Sequence, residues 1–239
     1  MLNQLNCPNC GATLPASAFN AEIVTCQYCN TTFRVSKSFT PEPDMGNLVL
    51  GADFRQDPIM GWGFPNKDKV QLINNAIPEL RAKFPPQVGL YYALNSSGYF
   101  DNIDASVSIK FYDGNMDLID AGLVLRYHKG VGSYCVLISP LGTYTLGYYQ
   151  KGEADDSMDW KSIMSWTKHS ALRTGLNQFN RVRMIANGDR LRVYFNGVLA
   201  TSIHDNRYEE GEVLLAIESG EKSVAEVGFS DLQLREAKG

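Results

Sequence analysis

The stretch that decides the fold class is Arg181-Val182-Arg183-Met184-Ile185-Ala186, Asn187-Gly188-Asp189, Arg190-Leu191-Arg192-Val193-Tyr194-Phe195. On both sides of the turn residues the side chains alternate, Val182, Met184, Leu191, Val193 and Phe195 falling on one face. A period of two marks strands with one buried face. Asn-Gly supplies the positive φ angles that a tight hairpin needs. A second Asn196-Gly197 turn leads into Val198–Ile203. Working outward, short runs of the same kind recur at Leu48–Phe54, Ile77–Phe84, Gly89–Leu94, Ala105–Tyr112, Ala121–His128, Ser133–Ser139, Thr143–Tyr149, Val213–Glu218 and Val224–Leu234. Turn residues separate them. One segment, Met158–His169, carries a helix-like spacing of Trp160, Ile163 and Trp166. A dozen or so strands without βαβ alternation predict an all-β protein, built as an antiparallel two-sheet sandwich.

The opposite face of the hairpin carries Arg181, Arg183, Arg190 and Arg192. Like charges facing each other across strands cost roughly 0.2–1 kcal/mol per pair. Neighbouring acids must neutralise them, with Glu212, Glu218 and Glu226 available, or Arg183 and Arg192 meet an anionic ligand or partner.

The 239 residues are 44 % apolar and 20 % charged, with a formal charge of −4. That balance argues against a protein built chiefly to coat nucleic acid. No apolar run reaches the ~18 residues of a membrane span. The first residues, Met1-Leu2-Asn3-Gln4-Leu5-Asn6, have neither a basic stretch nor an apolar core, so a cytoplasmic location is expected.

Four of the five cysteines precede residue 30. Cys7-Pro8-Asn9-Cys10 and Cys26-Gln27-Tyr28-Cys29 have the spacing of a four-thiolate zinc site. Zn²⁺ takes four soft ligands in a tetrahedron, and with all four supplied by Cys the metal is structural. Gly11 and Asn30 follow the pairs, and both residue types adopt a left-handed backbone cheaply. Two disulfides or a redox pair are the alternatives. They suit a secreted chain or a βαβ setting, respectively. Some 35 residues cannot bury enough surface to fold without a staple. Ser36 to Gly46, with Pro41 and Pro43, then reads as a linker. The expected division is a unit at 1–36, a linker at 37–46 and a sandwich at 47–239.

The knuckles Cys7-Pro8-Asn9-Cys10-Gly11 and Cys26-Gln27-Tyr28-Cys29-Asn30 resemble the zinc-ribbon family. That resemblance implies a small metal-held fold that docks to protein or serves structurally. With Arg34 and Glu22 as its only charged side chains, residues 1–36 make a poor nucleic-acid reader. The rest of the chain resembles the concanavalin A-like, or laminin G-like, jelly-roll family. The carrying residues are Ala121-Gly122-Leu123-Val124-Leu125-Arg126, Leu191-Arg192-Val193-Tyr194-Phe195-Asn196-Gly197-Val198 and Val227-Gly228-Phe229-Ser230-Asp231-Leu232. The resemblance implies sugar-binding modules, adhesion modules or glycoside-cleaving enzymes; fold alone decides none of them.

The glucanases of this fold carry E-x-D-x-x-E on one strand. The nearest match, Glu153-Ala154-Asp155-Asp156-Ser157-Met158, replaces its second Glu by Met158. The expectation is therefore a non-catalytic binding or adaptor protein that recognises a carbohydrate or a protein surface. A glycoside-processing hydrolase with an unfamiliar carboxylate set is the runner-up, and a structural subunit the third reading. Two carboxylates converging in a groove would favour the enzyme. Candidate ligand platforms are Trp62, Tyr148, Tyr149, Trp160 and Trp166, with Asn95, Asp101, Asn102 and Arg126 as polar partners; Tyr148 and Tyr149 point to opposite faces, so one of them is expected in the core. Asp113-Gly114-Asn115-Met116-Asp117 offers three side-chain oxygens for a Ca²⁺ ion, against the plainer reading of a solvated turn. Cys135, inside a strand, is expected to be a buried thiol.

Overall fold

The computed structural model describes residues 10, 12, 23–34, 45–55, 59–153 and 157–238. The chain divides into two compact units, Met1–Pro41 and Glu42–Gly239. In the first, β1 (Ile23–Thr25) pairs antiparallel with β2 (Thr32–Arg34) around the turn that carries Cys26 and Cys29. Cys7, Gly11 and most of the expected linker lie outside the described residues.

Among its described residues the second unit is all-β apart from a 3-10 turn at Lys67–Lys69. Its strands are β3 (Leu48–Ala52), β4 (Trp62–Gly63), β5 (Val70–Ile73), β6 (Glu79–Phe84), β7 (Gln87–Ser96), β8 (Ile103–Asp113), β9 (Asp120–His128), β10 (Gly132–Ile138), β11 (Thr143–Lys151), β12 (Met158–Lys168), β13 (Phe179–Asn187), β14 (Arg190–Phe195), β15 (Val198–His204), β16 (Glu212–Gly220) and β17 (Ala225–Glu236). A seven-stranded sheet runs β12-β11-β10-β9-β16-β7-β4. The eight-stranded sheet runs β15-β14-β13-β8-β17-β6-β5, with β3 also paired to β17. The described pairings are antiparallel, and the strand order makes a jelly-roll sandwich.

The deciding hairpin forms as its alternation dictates. Val182 pairs with Phe195 and Met184 with Val193, all fully buried. The loop is two residues, Gly188-Asp189, and Gly188 alone takes positive φ there (56°). At the next turn Asn196 and Gly197 both do (49° and 84°), as a tight turn between twisted strands requires. The inter-sheet core gathers side chains such as Phe84, Phe111, Phe195, Phe229, Leu123 and Ile217.

Met158–Lys168 is a strand, which corrects the helical spacing seen there. It runs along β11 with register shifts between Tyr144, Leu146 and Gly147. Those irregularities break the period of two and leave Trp160, Ile163 and Trp166 with a deceptive interval of three.

Candidate active site

The outer face of the seven-stranded sheet is unusual for a surface. Val124, Cys135 and Ala216 are fully buried there, and Leu137 and Leu214 nearly so. Aromatic side chains flank them on two sides. Tyr149 of β11 packs on Trp160 of β12 with ring centres 5.1 Å apart, and Tyr92 of β7 packs on Tyr127 of β9 at 5.4 Å. Two glycines make room. A Cβ at Gly147 would stand 2.6 Å from the Trp160 ring, and one at Gly122 would stand 1.8 Å from the Val136 carbonyl oxygen. The result is an apolar floor between two aromatic walls.

Two acids close one end of this trough. Asp120 begins β9, Glu218 lies near the end of β16, and the two occupy directly paired positions. Directly opposed residues in an antiparallel pair have Cβ atoms about 4.5–5.5 Å apart. Both carboxyls are half-buried, so neither charge is well solvated. Burial first, then the Glu218 charge, pushes the Asp120 carboxyl up to about 8. Burial also raises Glu218, opposed by a hydrogen bond from the Gly89 backbone. Like charges at such range do not both ionise easily, which separates the pair into a proton holder and an anion. The same field, after burial, raises the Cys135 thiol, and burial raises the Tyr92 and Tyr149 phenols. Cys135 is thus a buried, protonated thiol in the floor.

The residues singled out from sequence fall in several places. Trp160 stands in the wall of the trough. Trp166 is 47 % exposed on the edge strand β12. Trp62 is buried and donates its indole N–H to the Gly51 carbonyl, and Tyr148 packs against the inter-sheet core under Arg207; neither belongs to this face. Arg126 is 2 % exposed and donates to the carbonyls of Asp101, Tyr208 and Gly188. It ties three segments together, with a left-handed backbone (φ 56°) turning it out of the strand. Arg183 forms a two-pronged pair with Asp104 at 2.7 and 2.6 Å, and both are buried. Arg181 meets Asp231. The acids that neutralise the arginine face are therefore Asp104 and Asp231, and the expected Glu212, Glu218 and Glu226 do other things. Glu212 accepts from Asn95, and Glu226 pairs with Arg81 and Lys83. Arg192 donates to the Lys238 carbonyl, and its Nε lacks a partner.

In the Asp113–Asp117 turn the oxygens serve the chain itself. Asp113 accepts from the Gly114 N–H and Asn115 from the Asp117 N–H. These are the bonds of a plain turn. Residues 154–156 of the E-x-D-x-x-E-like segment lie outside the described residues.

In the first unit, the sulfurs of Cys10, Cys26 and Cys29 lie within 4.8 Å of one another, a group that could hold a metal ion. Cys10 and Cys26 sulfurs are 3.7 Å apart, well beyond a disulfide bond. Asn30 takes φ 54°, the left-handed step that follows the second knuckle. Its N–H closes on the Cys26 carbonyl at 2.9 Å. Three converging thiols suit a soft tetrahedral metal.

Asp120 and Glu218 were not legible as a pair. Each is a lone acid at the end of an apolar run, Ala121–Leu125 and Leu214–Ile217, and 98 residues separate them. The one available signal was an acid where the alternation calls for the same face as Val124 or Ala216.

No family model matches the chain, and no curated protein matches it. Solved structures do. A glycoside hydrolase family 16 endo-glucanase from Bacteroides ovatus, in complex with G4G3G-2F-DNP, superposes with a TM-score of 0.57. It is 11 % identical, over 78 % of this chain and 100 % of that one. The apo Crh5 transglycosylase gives 0.57 at 12 % identity, over 84 % and 90 %. The laminarinase catalytic domain from Thermotoga maritima gives 0.55 at 9 %, over 82 % and 100 %. These likenesses establish a jelly-roll sandwich of the kind that carries such enzymes. They correct the expectation of a non-catalytic protein: the fold shared over most of the chain is one on which glycosidic bonds are cleaved and transferred.

Proposed function

We propose that the sandwich is a glycoside-processing enzyme acting on neutral glycan, with Asp120 as the general acid and Glu218 as the nucleophile. The observation that carries this reading is the directly opposed carboxylate pair at the end of the aromatic trough. Aromatic walls suit the apolar C–H faces of sugar rings, and the two acids disfavour uronic or sulfated units. Direct cross-strand pairing suits the short carboxyl separation, ~5–5.5 Å, that a retaining enzyme uses. Glu218 attacks the anomeric carbon while the Asp120 proton passes to the leaving glycosidic oxygen. Asp120, now anionic, then takes a proton from water or from a sugar hydroxyl, whose oxygen displaces Glu218. The first acceptor gives hydrolysis and the second gives transfer. The structural neighbours, an endo-glucanase, a laminarinase and a transglycosylase, support this class.

The full chain incubated with laminarin and mixed-linkage β-glucan is expected to release new reducing ends. Asp120→Asn and Glu218→Gln are each expected to lower the rate roughly 10²–10⁴-fold. Circular dichroism confirms that the variants fold. Wild-type rates in both folded variants refute the assignment, as does an inert wild type across neutral glucans, galactans and chitin oligomers.

For the N-terminal unit we propose a structural zinc held by Cys7, Cys10, Cys26 and Cys29. The three converging thiols and the left-handed Asn30 support it.

A further inference from the structure

The trough is lopsided about its acids. Asp120 is the first residue of β9, so the pair sits at one end of the sheet face. Cross-strand registers set the level of every other group on it. Tyr92 lies level with Ala216 and Gly122, two residues up β9. Cys135 lies level with Val124 and Gly147, four residues up. Tyr149 pairs with Ser133 and Trp160 beyond that, and Tyr127 is seven residues from Asp120. The stacking rings therefore lie on one side of the acids: the Tyr127 ring reaches back to Tyr92, two residues up, and the Trp160 ring lies over Gly147, four residues up.

The far end is also built for polar contact. Ser133, on the same face as Cys135 and paired across from Tyr149, is 1 % exposed, and its hydroxyl has no partner. A buried hydroxyl without a partner costs free energy unless water or a ligand satisfies it. Nearby, Asn95 and Glu212 hydrogen-bond to each other at 2.9 Å.

On the other side of the acids the face stops. The chain enters β9 from the turn at Asn115–Leu118, and this turn is pinned. The Asn115 N–H donates to Ser223 Oγ at 2.7 Å. Leu118 lies against Gly220, two residues past Glu218, so closely that a Cβ there would meet its carbonyl oxygen at 3.1 Å. This turn carries the chain from β8 of the other sheet into β9, so the outer face of β9 begins at Asp120.

Resting on the glycosidase reading above, we infer that this enzyme works at a chain end: a neutral glycan lies along the aromatic trough with its terminus against the Leu118 turn, and one or two units are released at each event. An enzyme that cuts within chains needs binding groups on both sides of its acids, and here they lie on one side among the described residues.

The test uses the full chain and end-labelled laminari- and mixed-linkage gluco-oligosaccharides of two to seven units. The expected result is a single short product from the earliest time point, with kcat/KM rising with substrate length. With laminarin, solution viscosity should fall only in step with released reducing ends. Trp160→Ala should lower kcat/KM on the heptamer at least tenfold more than on the trimer, through KM. A ladder of internal products with an early drop in viscosity overturns chain-end action and leaves the glycosidase reading standing. Equal Trp160→Ala losses at every length overturn it as well. No product from any oligomer or polymer overturns both.

Discussion

Asp120 holds its proton to about pH 8 in the fold, against 3.8 for an ordinary aspartate. Between those values the folded chain binds more protons than the unfolded one, so this group makes stability fall as pH rises through that window. Asp120→Asn removes the dependence. The variant's melting temperature should match wild type near pH 4 and exceed it by several degrees at pH 8, each kcal/mol being about 2–4 °C for a chain of this size. A difference that stays flat between pH 4 and 8 would show that Asp120 is ionised in the fold. Activity has the same logic: an acid that must stay protonated places the alkaline limb of the rate profile near pH 8. Elsewhere, Asp104 and Arg183 form a buried ion pair. Deleting the carboxylate in Asp104→Ala should cost on the order of 3 kcal/mol in urea unfolding. A loss below ~1 kcal/mol would mean the pair is solvent-screened like a surface bridge.

Among the elements, β9, β11 and β12 shape the trough through what they omit as much as what they carry. Gly122 and Gly147 face outward on strands whose neighbours are large, because a side chain there would strike the Val136 carbonyl or the Trp160 ring. Gly122→Ala should destabilise the sandwich by about 1–3 kcal/mol through overpacking, seen as a lowered urea midpoint with an unchanged m-value. A neutral outcome would mean that β10 shifts freely against β9. The strands themselves were legible wherever alternation was clean, as in Val182–Ala186 and Leu191–Phe195. They were obscured in β12, where register shifts against β11 break the period of two. The Gly188-Asp189 loop and Arg126 make a related point. Turn position followed from composition, whereas the left-handed Arg126 did not, since a charged residue inside an apolar strand gives no local sign of a φ of 56°.

For the whole molecule, the two units rest on different physics. The sandwich buries an extended apolar core between its sheets, while the N-terminal unit is too short to do so, and the proposed zinc site is its staple. Native mass spectrometry of the full chain should show one zinc ion per chain. Cys26→Ser should abolish it, and chelation should change the circular dichroism of a fragment spanning 1–41. Retention of that fragment's spectrum without metal would count against the zinc staple.

The all-β class, the positions of most strands, the tight turns and the cysteine knuckles were determined by the sequence itself. They depend on residues close in the chain: a period of two, a Gly or Asn where φ must be positive, a thiol spacing of C-x-x-C. The candidate site was decided by tertiary structure alone. Asp120 and Glu218 are 98 positions apart, and pairing β9 with β16 is what sets them face to face. Once there, desolvation and mutual repulsion give one acid a proton that its sequence neighbours could never have assigned. The same sheet sent Tyr148 inward and Tyr149 outward, and settled which aromatic is core and which is wall.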